Sequence, residues 1–96
     1  MTLKTQPFEA ARFLEDDEAV AVFITSILEE NNPALLAAAL GEVAKARGMA
    51  QVAEKSGMAR EALYKALRSD SQPRFETIAR VCAALGVKLV AQPAHG

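Results

Sequence analysis

MAQVAEKSGMAREALYKAL, residues 49–67, is the stretch whose reading decides the fold. It reads as two short helices joined by a tight turn. Apolar or small residues recur at Val52, Ala53, Met58, Leu63, Ala66 and Leu67, with Gly57 between the two halves. Glycine reaches the left-handed conformation without a Cβ penalty, so the first helix can end there. Ala53, four residues earlier, is small enough to let the second helix cross close above the first. Leu63 and Leu67, spaced i and i+4, face inward together. Arg60, Glu61, Tyr64, Lys65 and Arg68 remain outward on the second helix. This is the sequence form of a helix-turn-helix, in which the second helix enters the DNA major groove.

The pattern resembles the phage-repressor (Cro/repressor-like) helix-turn-helix family. More narrowly, ALGEVAKARGMAQVAEKSGMAREALYKALRSDSQPRFETIARVCAALGVKL, residues 39–89, resembles the addiction-module antidote proteins, HigA-like antitoxins of bacterial toxin–antitoxin operons. REALYKAL followed by Pro73-Arg74-Phe75 is the most specific part of the likeness. The resemblance implies an antitoxin that represses its own operon and neutralises a co-encoded toxin, a small basic ribonuclease of the RelE/HigB type. The residue before the second helix, Ala59, departs from the Ser or Thr cap common in the family, and alanine caps poorly. That weakens the helix end by about 1 kcal/mol at most.

At 96 residues the chain holds one domain with a modest core. Half of it is hydrophobic, but only five residues are aromatic. A composition led by Ala, Leu and Val suits close-packed helices. No apolar run approaches the roughly 20 residues that span a bilayer. The first ten residues, MTLKTQPFEA, lack the apolar segment of a secretory signal. The single cysteine, Cys82, excludes an internal disulfide and fits a reducing, cytoplasmic setting.

A net charge of −1 conceals a strong asymmetry. Residues 1–42 carry two basic side chains against eight acidic ones, and residues 43–96 carry nine against four. The chain is acidic in front (−6) and basic behind (+5). A basic half can meet phosphates while the acidic half meets a basic partner.

Taken in order, the chain divides into an acidic N-terminal helical extension (1–32), a helix-turn-helix core (33–86) and a short C-terminal strand (87–91). In PFEAARFL, Phe8 and Phe13 are expected to dock on the main body. Glu15, Asp16, Asp17 and Glu18 fit a helix N-terminus. The helix that follows should run from about Asp17 to Glu30, with Val20, Phe23, Ile24, Ile27 and Leu28 on one face. Asn32 caps the next helix and Pro33 opens it. Its stripe is Leu36, Ala39, Leu40, Val43 and Ala44. Gly41 within it costs about 1 kcal/mol relative to alanine, which close helix packing would explain. Gly48 closes the helix. Residues 69–73 form a loop of turn formers. A last helix, from about Arg74 to Leu85, should bury Phe75, Ile78, Ala79, Cys82 and Leu85, with Gly86 as its stop. Residues 87–91, VKLVA, are β-branched and apolar, and read as a strand. A lone strand needs a partner, either the same strand of a second copy or, failing that, a berth as an extended tail on the last helix.

No catalytic constellation is expected, nor any metal or cofactor site. His95 lies in the tail, and Cys82 faces inward as a small hydrophobe. For DNA, Arg60 suits bidentate bonding to guanine O6 and N7, and Glu61 suits cytosine N4 or, equally, an i, i+4 pairing with Lys65. Tyr64 suits phosphate or a thymine methyl, unless it packs as a rim residue, and Lys65 stands beside it. Gln51 opens the first helix at the phosphates, and Arg68 and Arg74 flank the following loop as backbone contacts. Lys55 and Arg47 read as solvated. The expectation is an all-α, phage-repressor-like domain of about five helices with a C-terminal strand. As a homodimer it is expected to bind palindromic operator DNA. The alternatives are a stand-alone prophage-type repressor without a toxin, and a protein-binding scaffold that has lost DNA function.

Overall fold

The computed structural model describes residues 16–68 and 70–94. The expectations for Phe8, Phe13 and His95 lie outside that range. Among the described residues five helices follow one another: α1 (Asp17–Leu28), α2 (Pro33–Arg47), α3 (Met49–Ser56), α4 (Arg60–Ala66) and α5 (Phe75–Ala84).

The helix ends follow local chemistry. Asp16 caps α1, its Oδ1 accepting the Glu18 N–H at 2.9 Å, and Asp17 and Glu18 place negative charge in the first turn. Asn31 turns the chain after α1 at φ +55°, a region that asparagine tolerates better than most residues. Asn32 then accepts the Leu35 N–H at 3.2 Å, and Pro33 occupies the first position of α2, the arrangement its missing N–H favours.

α2 is the longest of the described helices and contributes the most buried residues. It packs against α1 on one side and α3 on another, and buries Leu36, Ala37, Ala39, Leu40, Gly41, Val43 and Ala44. The remaining helices close on it through a single apolar cluster: Val20 and Ile24 from α1, Val52 and Ala53 from α3, Leu63 and Leu67 from α4, and Val81, Cys82 and Leu85 from α5. Gly41 earns its place by contact. A Cβ there would sit 3.0 Å from the Leu67 carbonyl oxygen, so α2 and the end of α4 approach as closely as backbone allows.

A polar tie joins three helix ends that the apolar pattern alone does not connect. Arg47, in the last turn of α2, pairs with Asp17 at 2.8 Å and donates to the Leu85 carbonyl oxygen at 3.3 Å. Its side chain is only 20% exposed, so it is an internal strut, not the solvated residue that the sequence implied.

Two further expectations are corrected. Phe75 is 72% exposed and Val81 is fully buried in its stead. The inward stripe of α5 runs through 78, 81, 82 and 85, and Phe75, the first residue of that helix, overshoots the core's edge. Leu28, the last residue of α1, lines an apolar groove together with Phe75 and is also exposed, at 40%. Residues 87–91 form no strand. The other described elements are all helical, so the segment has no ladder to join among the described residues. It leaves α5 through Gly86 (φ +80°), with the Val87 N–H bonded to the Cys82 carbonyl at 2.9 Å. Val87 is buried and Leu89 packs on the core, alongside residues of α1 as well as α5.

The Gly41 contact gives a stability test. Gly41→Ala gains about 1 kcal/mol of helix propensity. Its methyl meets a backbone oxygen that has no rotamer to escape into, and overpacking of that kind costs typically ~1–3 kcal/mol. Urea denaturation should show a net loss for Gly41→Ala and a larger one for Gly41→Val.

Candidate nucleic-acid interface

The candidate surface is built by the α3–turn–α4 unit. Gly57, at φ +74°, closes α3: its own N–H bonds to the Glu54 carbonyl, and the Met58 N–H bonds back to that of Ala53 at 3.0 Å. This paired closure ends the helix and reverses the chain within three residues. α4 then starts at Arg60 without a side-chain cap, since Ala59 offers no acceptor. What holds α4 is its inner face, with Leu63 fully buried and Leu67 nearly so. A helix of seven residues has little stability of its own, so this docking determines that it exists. The following loop is tied back by the Ser71 hydroxyl, which donates to the Ala66 carbonyl at 2.9 Å.

With Leu63 pinned inward, Arg60, Glu61, Ala62, Tyr64 and Lys65 are all exposed. Gln51 is exposed on the first turn of α3, and Arg68 is exposed just past α4. Arg74, also exposed, sits at the head of α5 beyond the loop. The α4 residues and Arg68 therefore form one continuous strip, while Arg74 stands at the far end of a separate connection. Among the described residues Glu61 makes no ion pair with Lys65, so that reading of the two side chains is not realised.

The arginines differ in what they touch. Arg68 pairs with Asp70 at 3.1 Å, two residues on, with both side chains well exposed. Such a pair contributes little in solvent and yields readily to a stronger anion. Arg80 pairs with Glu76 one turn back. Arg60 instead lies over the ring of Tyr64, its guanidinium carbon 5.8 Å from the ring centroid. The i, i+4 spacing of an arginine and a tyrosine was the available signal for this contact, and reading the two residues separately passed over it.

The outward strip of α4 carries cationic donors, the Glu61 carboxylate as acceptor and the Tyr64 ring. Cys82 is 1% exposed among apolar neighbours, and burial pushes its thiol up from 9.0 to about 11. Among the described residues no group of three or more His, Cys, Asp and Glu side chains is placed to hold a metal ion. No described helix is long and apolar enough to cross a membrane.

Residues 4–93 match the sequence model of the family described as "probable addiction module antidote protein". The chain belongs to that family. The chain is also similar to an uncharacterized protein of Haemophilus influenzae, with 38% identity over 92 residues that cover 96% of this chain and 95% of the relative. No solved structure matches it significantly. An antidote implies a toxin partner of some kind, and the described acidic side chains of the front half, Asp16, Asp17, Glu18, Glu29, Glu30 and Glu42, are exposed.

The Cys82 environment yields a pH prediction. The folded state keeps the thiol neutral to about pH 11, whereas the unfolded chain ionises near 9.0. The folded pKa of an acid is raised, so stability is unaffected below pH 9 and falls as pH rises from 9 toward 11. Denaturation midpoints should drop across that window in the native antidote and drop less in Cys82→Ala. Iodoacetamide at pH 8 should label Cys82 only in denaturant.

Proposed function

We propose that this antidote binds operator DNA as a homodimer and represses its own operon, with α3–turn–α4 acting as a helix-turn-helix and α4 as the helix that enters the major groove. The observation that carries the reading is the outward strip of α4. It combines a bidentate donor (Arg60), an acceptor (Glu61), an aromatic ring (Tyr64) and a cation (Lys65) on a helix pinned from beneath by Leu63. Arg60 reads guanine through O6 and N7, and Glu61 accepts from cytosine N4. Gln51, Lys65, Arg68 and Arg74 contact phosphates, and the Arg68–Asp70 pair opens to release its guanidinium. Two copies related by a two-fold axis place two α4 helices about 34 Å apart on a palindromic site. The excess of basic residues behind position 42 supports this orientation.

The same antidote neutralises a co-encoded toxin, a basic ribonuclease of the RelE/HigB type, through acidic residues within 9–30. Family membership supports a toxin partner, and the charge asymmetry supports its basic character. Two oppositely charged regions let one small chain hold both partners without competition for the same side chains.

Fluorescence anisotropy with labelled DNA from immediately upstream of the gene tests the DNA half. Affinity should fall steeply with salt as phosphate contacts release counterions. Arg60→Ala should lose about 1–3 kcal/mol against the operator and little against unrelated duplex. Equal binding to the two duplexes by the native protein would remove the operator reading. For the toxin half, removing residues 1–15 should weaken toxin binding in a pull-down titration and leave DNA affinity unchanged.

A further inference from the structure

Of the four arginines for which a contact is described, three spend guanidinium donors on carboxylates: Arg47 on Asp17, Arg68 on Asp70 and Arg80 on Glu76. Arg60 has an aromatic partner, the ring of Tyr64 one turn on. The difference is chemical. A carboxylate partner occupies N–H groups, whereas a ring attracts the cation through its π face and takes no N–H bond from it. Guanidinium N–H groups lie in the plane of the group as a fixed fork, so an arginine held by a ring keeps that fork for another acceptor. Free arginine side chains also carry a large rotamer entropy that must be surrendered on binding. A ring on the same helix removes part of that freedom in advance. Tyr64 is itself 43% exposed, so its ring is half-anchored on the body of the protein and half-available to Arg60.

We infer that Tyr64 is a positioning residue for Arg60: its ring holds the guanidinium along α4 with the donor fork unspent, and so sets the discrimination that Arg60 exerts between base sequences. The inference rests on the proposal that α4 reads DNA. It assigns Tyr64 a role through Arg60 and not through a phosphate bond of its own hydroxyl.

The two roles separate by substitution. Tyr64→Phe removes the hydroxyl and keeps the ring, and Tyr64→Leu removes the ring. Each would be measured with and without Arg60→Ala, by anisotropy against upstream DNA and against unrelated duplex. Circular dichroism melts would confirm folded proteins, with Tyr64→Gln replacing the leucine variant should it melt early. A cation–π contact at an exposed site translates to a loss of roughly two- to fivefold in operator affinity for Tyr64→Leu. Tyr64→Phe should stay near the native value, non-specific affinity should be unchanged, and no further loss should appear on the Arg60→Ala background. A loss in Tyr64→Phe as large as in Tyr64→Leu, or the same loss on the Arg60→Ala background, would overturn the positioning role while leaving the DNA reading in place. A native protein with no preference for upstream DNA would overturn both. In that case the ring-current shift of the Arg60 Nε–H resonance, expected in the native and Tyr64→Phe proteins and lost in Tyr64→Leu, reports whether the contact survives as a structural feature alone.

Discussion

The close approach of α2 to the end of α4 is the constraint on which the rest of the arrangement depends. Gly41 lies where any side chain would press on the Leu67 carbonyl oxygen. That contact fixes the depth at which α4 sits, and with it the depth to which Leu63 penetrates. A few ångströms of lift at this point would draw Leu63 out of the cluster formed by Leu40, Val43, Val52 and Val81. Glycine in a helix interior weakens the helix by about 1 kcal/mol, and α2 tolerates it because it is a 15-residue helix buried over much of its circumference. The loss is taken where the fold is strongest, and the close approach is gained where it is weakest.

A second layer of organisation is polar. Asp17, Arg47 and the Leu85 carbonyl oxygen join the start of α1 to the ends of α2 and α5. Gly86 leaves room for it, since a Cβ there would come within 2.9 Å of an Asp17 carboxylate oxygen. The acidic front of the chain is thereby fastened to the basic back by the Asp17–Arg47 ion pair, and the described parts of the two oppositely charged regions remain in defined relation. Most of the other charges project into solvent, where screening leaves them free to meet partners.

Much of this was legible in the sequence because its signals were local. Asn32–Pro33 opens α2, Gly57 and Gly86 stop their helices with positive φ, and Gly41 marks close packing from sequence alone. The inward positions of Val20, Ile24, Leu40, Leu63 and Cys82 followed from helical period. The failures share a cause: each depended on where an element stops relative to others. Phe75 has the correct period to be inside and lies beyond the core's edge. VKLVA has strand composition, but strand formation requires a ladder that no described element of the chain supplies. Arg47 resembled a solvated helix-end cation until its partners, 30 and 38 residues distant, were in view. The exposed strip of α4 was readable as a strip, whereas the pairing of Arg60 with Tyr64 required treating the two as one unit.

The weak intrinsic stability of α4 bears on how the proposed reading surface would respond to change elsewhere. Seven residues, without a side-chain cap at Ala59, fall well below the length at which a helix persists alone in water. Its helical state is therefore supplied by Leu63 and Leu67 and by the neighbours that receive them. Loss of that docking would disperse Arg60, Glu61, Tyr64 and Lys65 together, because their common orientation is a consequence of the same two leucines. Affinity for a ligand that needs all four scales with the fraction of molecules in which α4 is docked. A substitution confined to the core, such as one at Val52 or Val81, can then lower binding without touching the surface. The same dependence separates the two kinds of defect: a docking defect lowers affinity for specific and unrelated duplex together, whereas loss of the Arg60 fork alters only the ratio between them.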